Sequence, residues 1–153
     1  MNHDHHKPSS AFIGAAWTAL FVGFLAYLIG LWNASMLLNE KGYYLTVLLF
    51  GLFSAVSLQK SVRDRLEGIP VTAIYFGLCW ASVLCAIVLL SVGLWNASLA
   101  LSEKGFYAMA FVLSLFAAIT VQKNTRDSTA GEPQSAAQKH PYESMAGELS
   151  ENL

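Results

Sequence analysis

Charge is what this chain has least of. Of 153 residues only 12% are Asp, Glu, Lys or Arg, about half the usual share of about 25% in a soluble globular protein. A deficit of that size excludes an ordinary soluble enzyme, and it equally excludes an intrinsically disordered chain. Nine basic residues against ten acidic ones give a net charge of −1, so no basic excess points to nucleic acid. Cysteine is nearly absent too. Cys79 and Cys85 are the only two, and six positions along a helix is about 240° of rotation. They face apart, cannot bridge each other or share a metal, and read as buried inert thiols. There is no Gly-rich phosphate loop, nucleophile elbow, HExxH pair or paired-Cys site. Nothing in the sequence calls for a cofactor or a metal.

What fills the chain is apolar: 55% of residues, with a mean hydropathy of +0.47. Four stretches carry no Asp, Glu, Lys, Arg or His: 8–39, 42–59, 68–102 and 105–122. A spanning helix needs about 20 predominantly apolar residues, and each stretch holds a candidate. We place them near Ala11–Trp32, Tyr43–Leu58, Val71–Trp95 and Phe106–Val121. The first exceeds the about 7–15 apolar residues of a signal-peptide core, so it reads as a retained span. Glu40-Lys41-Gly42 and Glu103-Lys104-Gly105 look like helix C-termini, a cation at the negative end of the dipole followed by a terminal glycine. On that reading helix one runs to Lys41 and helix three from Pro70 to Lys104. Gly68-Ile69-Pro70 stops helix two near Glu67.

The sequence contains itself twice. At an offset of 63 residues, Phe12–Asp64 aligns without gaps on Tyr75–Asp127, with 20 of 53 pairs identical. In Gly30–Tyr44 against Gly93–Tyr107, 11 of 15 pairs match. Each copy is two helices joined by a tight turn, so each returns the chain to its starting side. The copies are therefore parallel repeats about a pseudo-twofold axis along the membrane normal, unlike the inverted repeats of many transporters. The fold expected is all-α and integral to the membrane: four long transmembrane helices in two parallel hairpins. The units are an N-terminal tail (1–10), a first repeat (11–67), a second repeat (70–127) and a disordered tail (128–153). Loop charge orients them. Seven cations (Lys7, Lys60, Arg63, Arg65, Lys123, Arg126, Lys139) lie on one side and two, Lys41 and Lys104, on the other. That asymmetry puts both termini in the cytoplasm. Trp32, Tyr43, Tyr44, Trp95, Phe106 and Tyr107 belt the outer boundary.

The doubled motif W-N-A-S-x-L-x-(N/S)-E-K-G-(Y/F)-Y, each copy inside a two-helix unit, resembles the YiaA/YiaB family of bacterial inner-membrane proteins. The resemblance covers about Phe12–Asp127. It implies a multi-pass protein of the inner membrane and carries over no reaction or catalytic residue.

No charge lies within the spans, which argues against ion-coupled transport and proton relays. The candidate binding residues are Trp32, Asn33 and Ser35 with Trp95, Asn96 and Ser98. The two Asn could meet near the axis around a polar headgroup or small ligand; the favoured reading is structural, hydrogen bonds that fix helix pairing. Lys60, Arg63, Lys123 and Arg126 sit just inside the cytoplasm, where cations contact anionic lipid, with Lys60–Asp64 and Lys123–Asp127 as i,i+4 neighbours. Small residues at four-residue spacing, such as Ala19/Gly23 and Gly51/Ala55, allow close helix approach and leave room for a homo-oligomer. His3-Asp4-His5-His6 reads as a mobile tail. The partners expected are membrane lipid and a second copy, with no protein partner legible. The function expected is a non-enzymatic structural or interaction role in the inner membrane, set in envelope maintenance or stress response. The alternative is a passive conduit or binder for a small or lipid-like molecule between the hairpins.

Overall fold

The computed structural model describes residues 8–130, and side chains over 8–127. The expectations for His3–His6 and for residues 131–153 lie outside the described residues. Four helices run α1 Ser10–Asn33, α2 Leu38–Leu66, α3 Ala73–Asn96 and α4 Leu101–Ala130. No strand occurs among the described residues. All four helices are long and apolar enough to cross a membrane; even the 24 residues of α1 extend about 36 Å at 1.5 Å per residue.

Helix starts follow local chemistry. The Ser9 hydroxyl accepts the Phe12 amide at 3.2 Å, and the Thr72 hydroxyl accepts the Tyr75 amide at 3.3 Å. Each relieves one of the orphan donors of a first turn. Thr72 therefore sets the start of α3, three residues later than the Pro70 start read from sequence. At the inner turn α2 stops at Leu66, and Gly68 adopts φ +76°, a left-handed conformation that glycine takes without strain. The Gly68 amide donates to Arg65 and the Ile69 amide to Asp64 at 2.8 Å, closing the helix end.

The outer turns correct the sequence reading. Helix one does not reach Lys41; it ends at Asn33, with Ala34 extended at φ −64°, ψ 140°. Helix three likewise ends at Asn96, not Lys104, with Ala97 extended. Glu40-Lys41 and Glu103-Lys104 open the following helices instead of closing the preceding ones. A carboxylate is favoured in the first turn of a helix by the same dipole that favours a cation in the last. With both charges side by side, the pair alone could not decide the direction. At the other end α4 continues past Asp127 to Ala130.

The packing is exchanged between the repeats. α1 lies along α4 and α3 along α2, α2 and α4 meet at the centre, and α1 touches its own partner α2 only lightly. Glycines mark the close approaches. A Cβ on Gly23 of α1 would stand 2.9 Å from Ser114 Oγ on α4. One on Gly30 would meet Phe106 Cε1 at 2.7 Å, and one on Gly93, its equivalent in the second repeat, would meet Tyr43 Cε1 at 2.7 Å. Since Phe106 and Tyr43 are themselves equivalent positions, these two contacts are one contact seen twice, related by the pseudo-twofold. Between α2 and α4 a Cβ on Gly51 would meet Phe111 Cζ at 2.6 Å. Lipid offers apolar surface as good as any helix, so such close packing, not burial from water, holds the bundle. The centre is filled by Tyr27, Leu48 and Phe111, all fully buried, with Tyr44, Tyr107, Ala86 and Leu90 around them.

Candidate functional site: the outer turns

The doubled motif builds two copies of one corner. Glu40 sits at the third position of α2 and its carboxylate accepts the Leu37 amide at 2.8 Å; Glu103 accepts the Ala100 amide at 2.8 Å. Lys41 reaches back to the carbonyl of Trp32 at 2.8 Å, and Lys104 to that of Trp95 at 3.4 Å. Each Glu thus caps the helix that begins and each Lys the helix that has ended, satisfying donors and acceptors that would otherwise be orphaned near the membrane boundary. Asn33 donates its side-chain amide to Ile29 of its own helix at 2.8 Å, and Asn96 to Val92 at 2.8 Å. Most of the motif's polar atoms are therefore spent within one corner.

The candidate residues separate. Trp32 and Trp95 are 83% and 86% exposed; their rings point outward, where an amphipathic ring meets the membrane interface, and line neither of the grooves between the repeats. Ser35, Asn96 and Ser98 come together in a groove of about 520 Å³. Its walls are the first two turns of α2 (Asn39, Glu40, Tyr43, Tyr44) and the end of α3 with its cap (Gly93, Asn96, Ala97), so both repeats contribute. Asn33 lines a second groove of about 320 Å³ with Gly30, Ala34, Ser102, Glu103, Phe106 and Tyr107. These seven are the counterparts of the first groove's walls at the 63-residue offset. The two Asn occupy different grooves and do not share one.

Beneath the grooves lies an aromatic layer. The Tyr44 and Tyr107 rings stack at 6.0 Å and 20°, and Tyr27 meets Tyr107 edge-on at 5.3 Å. The Tyr27 hydroxyl donates to the Tyr44 carbonyl at 3.1 Å, and that of Tyr43 to the Leu89 carbonyl at 2.6 Å. Deeper hydroxyls are spent inside their own helices: Ser54 on Phe50, Ser61 on Ser57, Ser114 on Ala110.

At the inner end Lys60 pairs with Asp64 at 3.1 Å, and Arg126 of α4 pairs with Glu67 at the end of α2. Arg63 stands 3.7 Å from Glu67 and 4.0 Å from Asp64, while Lys123 is exposed. Of the four cations read as lipid contacts, the two arginines turn toward Glu67 and the two lysines face outward. Arg65 stacks over the Phe76 ring at 4.4 Å.

Sequence reasoning missed Asn39, Glu40 and Tyr43 as groove residues. The signal was present, since the match between copies extends through Glu-Lys-Gly to Tyr44. It was assigned to helix ends instead of to a wall. Tyr27 carried no such signal, because its equivalent is Leu90.

Comparison with known proteins fits this geometry. Residues 12–64 and 75–127 each match the yiaA/B two helix domain. The chain is 58% identical over 125 residues to inner membrane protein YiaA of Escherichia coli K12, covering 82% of this chain and 86% of that one. It is 34% identical over 96 residues to inner membrane protein YiaB of the same organism, covering 62% and 80%. It is 41% identical over 74 residues to the membrane protein YubF of Bacillus subtilis 168, covering 48% and 85%. No solved structure matches the chain.

Proposed function

This chain belongs to the yiaA/B two helix family, and from that premise we propose that it is a non-enzymatic inner-membrane protein with a structural and binding role. Its termini face the cytoplasm and its paired corners face outward. One observation carries the reading. The buried serine hydroxyls of the spans are spent on carbonyls of their own helices, the Tyr27 hydroxyl is spent on the Tyr44 carbonyl, and Tyr27, Leu48 and Phe111 fill the centre. A conduit for polar solutes needs polar groups turned toward a path; these are turned away from one. The two outer grooves to which both repeats contribute favour binding at the membrane boundary over passage through it.

Reconstitution tests this. Vesicles containing the full chain should release a trapped small polar dye no faster than protein-free vesicles. Release that rises with protein content, and rises further with Tyr27→Ala, would replace the structural reading with a conduit. Orientation has its own test, resting on the seven-to-two cation asymmetry. In a background without Cys79 and Cys85, a Cys at Asn39 should react with a membrane-impermeant reagent in intact cells, and one at Arg65 should not.

A further inference from the structure

We propose that the larger outer groove binds an ammonium group, the chemistry shared by a phospholipid ethanolamine headgroup and a free primary amine. The proposal rests on the binding role above and adds to it the ligand's chemical class.

Glu40 is the only charged residue lining the groove, beside the neutral side chains of Ser35, Asn39, Asn96 and Ser98. Glu40 gives one carboxylate oxygen to the Leu37 amide at 2.8 Å, and the other is uncommitted. Among the described residues Glu40 forms no ion pair, because Lys41 beside it is drawn to the Trp32 carbonyl. Asn96 spends its amide nitrogen on Val92, which leaves its amide oxygen. The last turn of α3 forms the facing wall at Gly93, Asn96 and Ala97, and its Trp95 carbonyl is already met by Lys104. A carboxylate and an amide oxygen both accept. An ammonium offers three donors and no acceptor. An anion would face the Glu40 charge, and the α2 amide that might have drawn it already holds that carboxylate.

The remaining wall is aromatic. Tyr43 and Tyr44 meet edge-on at 5.4 Å, and a cation beside a tyrosine face gains from the ring quadrupole. Tyr43 is set in place twice: its hydroxyl donates to Leu89, and its ring lies against Gly93, where a Cβ would come within 2.7 Å. Ser35 and Ser98 are exposed in the same groove and can donate to the phosphate that follows the ammonium in a phospholipid. The second groove is the internal control. It keeps Glu103 and Asn33, but it is smaller, has Phe106 where the first has Tyr43 and Ser102 where the first has Asn39, and has neither Ser35 nor Ser98 in its lining.

The test uses the full chain in nanodiscs of phosphatidylglycerol with a minor share of phosphatidylethanolamine, and native mass spectrometry to count retained lipid. A parallel arm titrates free ethanolamine by calorimetry into the chain in phosphatidylglycerol alone. The wild type should retain phosphatidylethanolamine above its share, or bind ethanolamine. The first result assigns a lipid headgroup, and the second a free amine. Glu40→Gln preserves an acceptor for the Leu37 amide and removes the charge. It should weaken binding about tenfold, the loss of one charge-assisted contact, while Glu103→Gln leaves it unchanged. If Glu40→Gln does not fold, Tyr43→Ala is read in its place, with the same loss expected. Binding in neither arm, or binding indifferent to both variants, overturns the proposal, as does equal loss in Glu40→Gln and Glu103→Gln. Dye release in the vesicle experiment would instead overturn the structural reading and leave the Glu40 dependence standing.

Discussion

The two repeats have the same outer corner but different interiors. At the corner every device recurs: the Glu cap, the Lys reaching back over nine residues, and the Asn returned to its own helix. The close approach of Gly30 to Phe106 recurs as Gly93 to Tyr43. Nearer the axis the copies part. Tyr27 stands where the second repeat has Leu90, and Gly51 where it has Ser114. A helix corner must be built wherever a hairpin turns, so both copies keep the whole motif. A hydrogen bond of this kind is made in one copy only: Tyr27 reaches Tyr44, and Leu90 at the equivalent position has no hydroxyl to repeat it. The lesson is that symmetry persists where each repeat needs the feature for itself and lapses where one copy serves both.

The glycine approaches should be the repeats' most sensitive points. Gly30→Leu and Gly93→Leu each drive a side chain into a ring already at contact distance, and such overpacking costs typically about 1–3 kcal/mol. Gly93→Leu should cost more, because the Tyr43 ring it meets is held by Leu89 while Phe106 has no hydroxyl to hold it. Thermal unfolding of the two variants in detergent checks both the size and the order; the reverse order would mean that the Tyr43 bond does not fix the ring. A smaller effect is expected at the corners. Glu40→Ala and Glu103→Ala should each cost about 1 kcal/mol, the usual worth of an N-terminal cap, and the two losses should agree. Unequal losses would show that the corners are not equivalent. The smallest effect separates the repeats by design. Tyr27→Phe removes one hydrogen bond of a kind that averages about 0.6 kcal/mol in membranes, and it should leave the fold otherwise intact by circular dichroism.

Much of this architecture was legible in the sequence. Uncharged stretches gave the number of spans, since charge inside lipid is costly whatever the fold. The gap-free offset gave the two repeats and their parallel relation. The helix ends were less legible. Glu40-Lys41 suits either the end of one helix or the start of the next, and only the break at Ala34 decides it. The partner of each helix was not legible at all. Small residues at Gly23, Gly30 and Gly93 announce that something comes close, but a glycine carries no record of which helix approaches it. For the same reason the groove walls went unread: they join the end of one repeat's first helix to the start of the other's second, and no local pattern spans that distance. The motif's Asn and Ser were picked out, but their division between two grooves follows from the exchanged packing alone.

Disulfide trapping distinguishes the exchanged packing from hairpins that pack on themselves. In a background without Cys79 and Cys85, Gly23→Cys with Ser114→Cys joins α1 to α4, across repeats. Gly23→Cys with Gly51→Cys joins α1 to α2, within one repeat. Gly51 is the 63-residue counterpart of Ser114, so a pseudo-twofold along the membrane normal holds the two partners at equal depth. A disulfide needs Cβ atoms about 3.5–4.5 Å apart, and a Cβ at position 23 comes within 2.9 Å of the Ser114 hydroxyl oxygen. Oxidation of native membranes should lock the 23–114 pair rapidly and leave the 23–51 pair reduced. Rapid locking of 23–51 with no locking of 23–114 would mean that each hairpin packs on itself, and the exchanged bundle would be wrong.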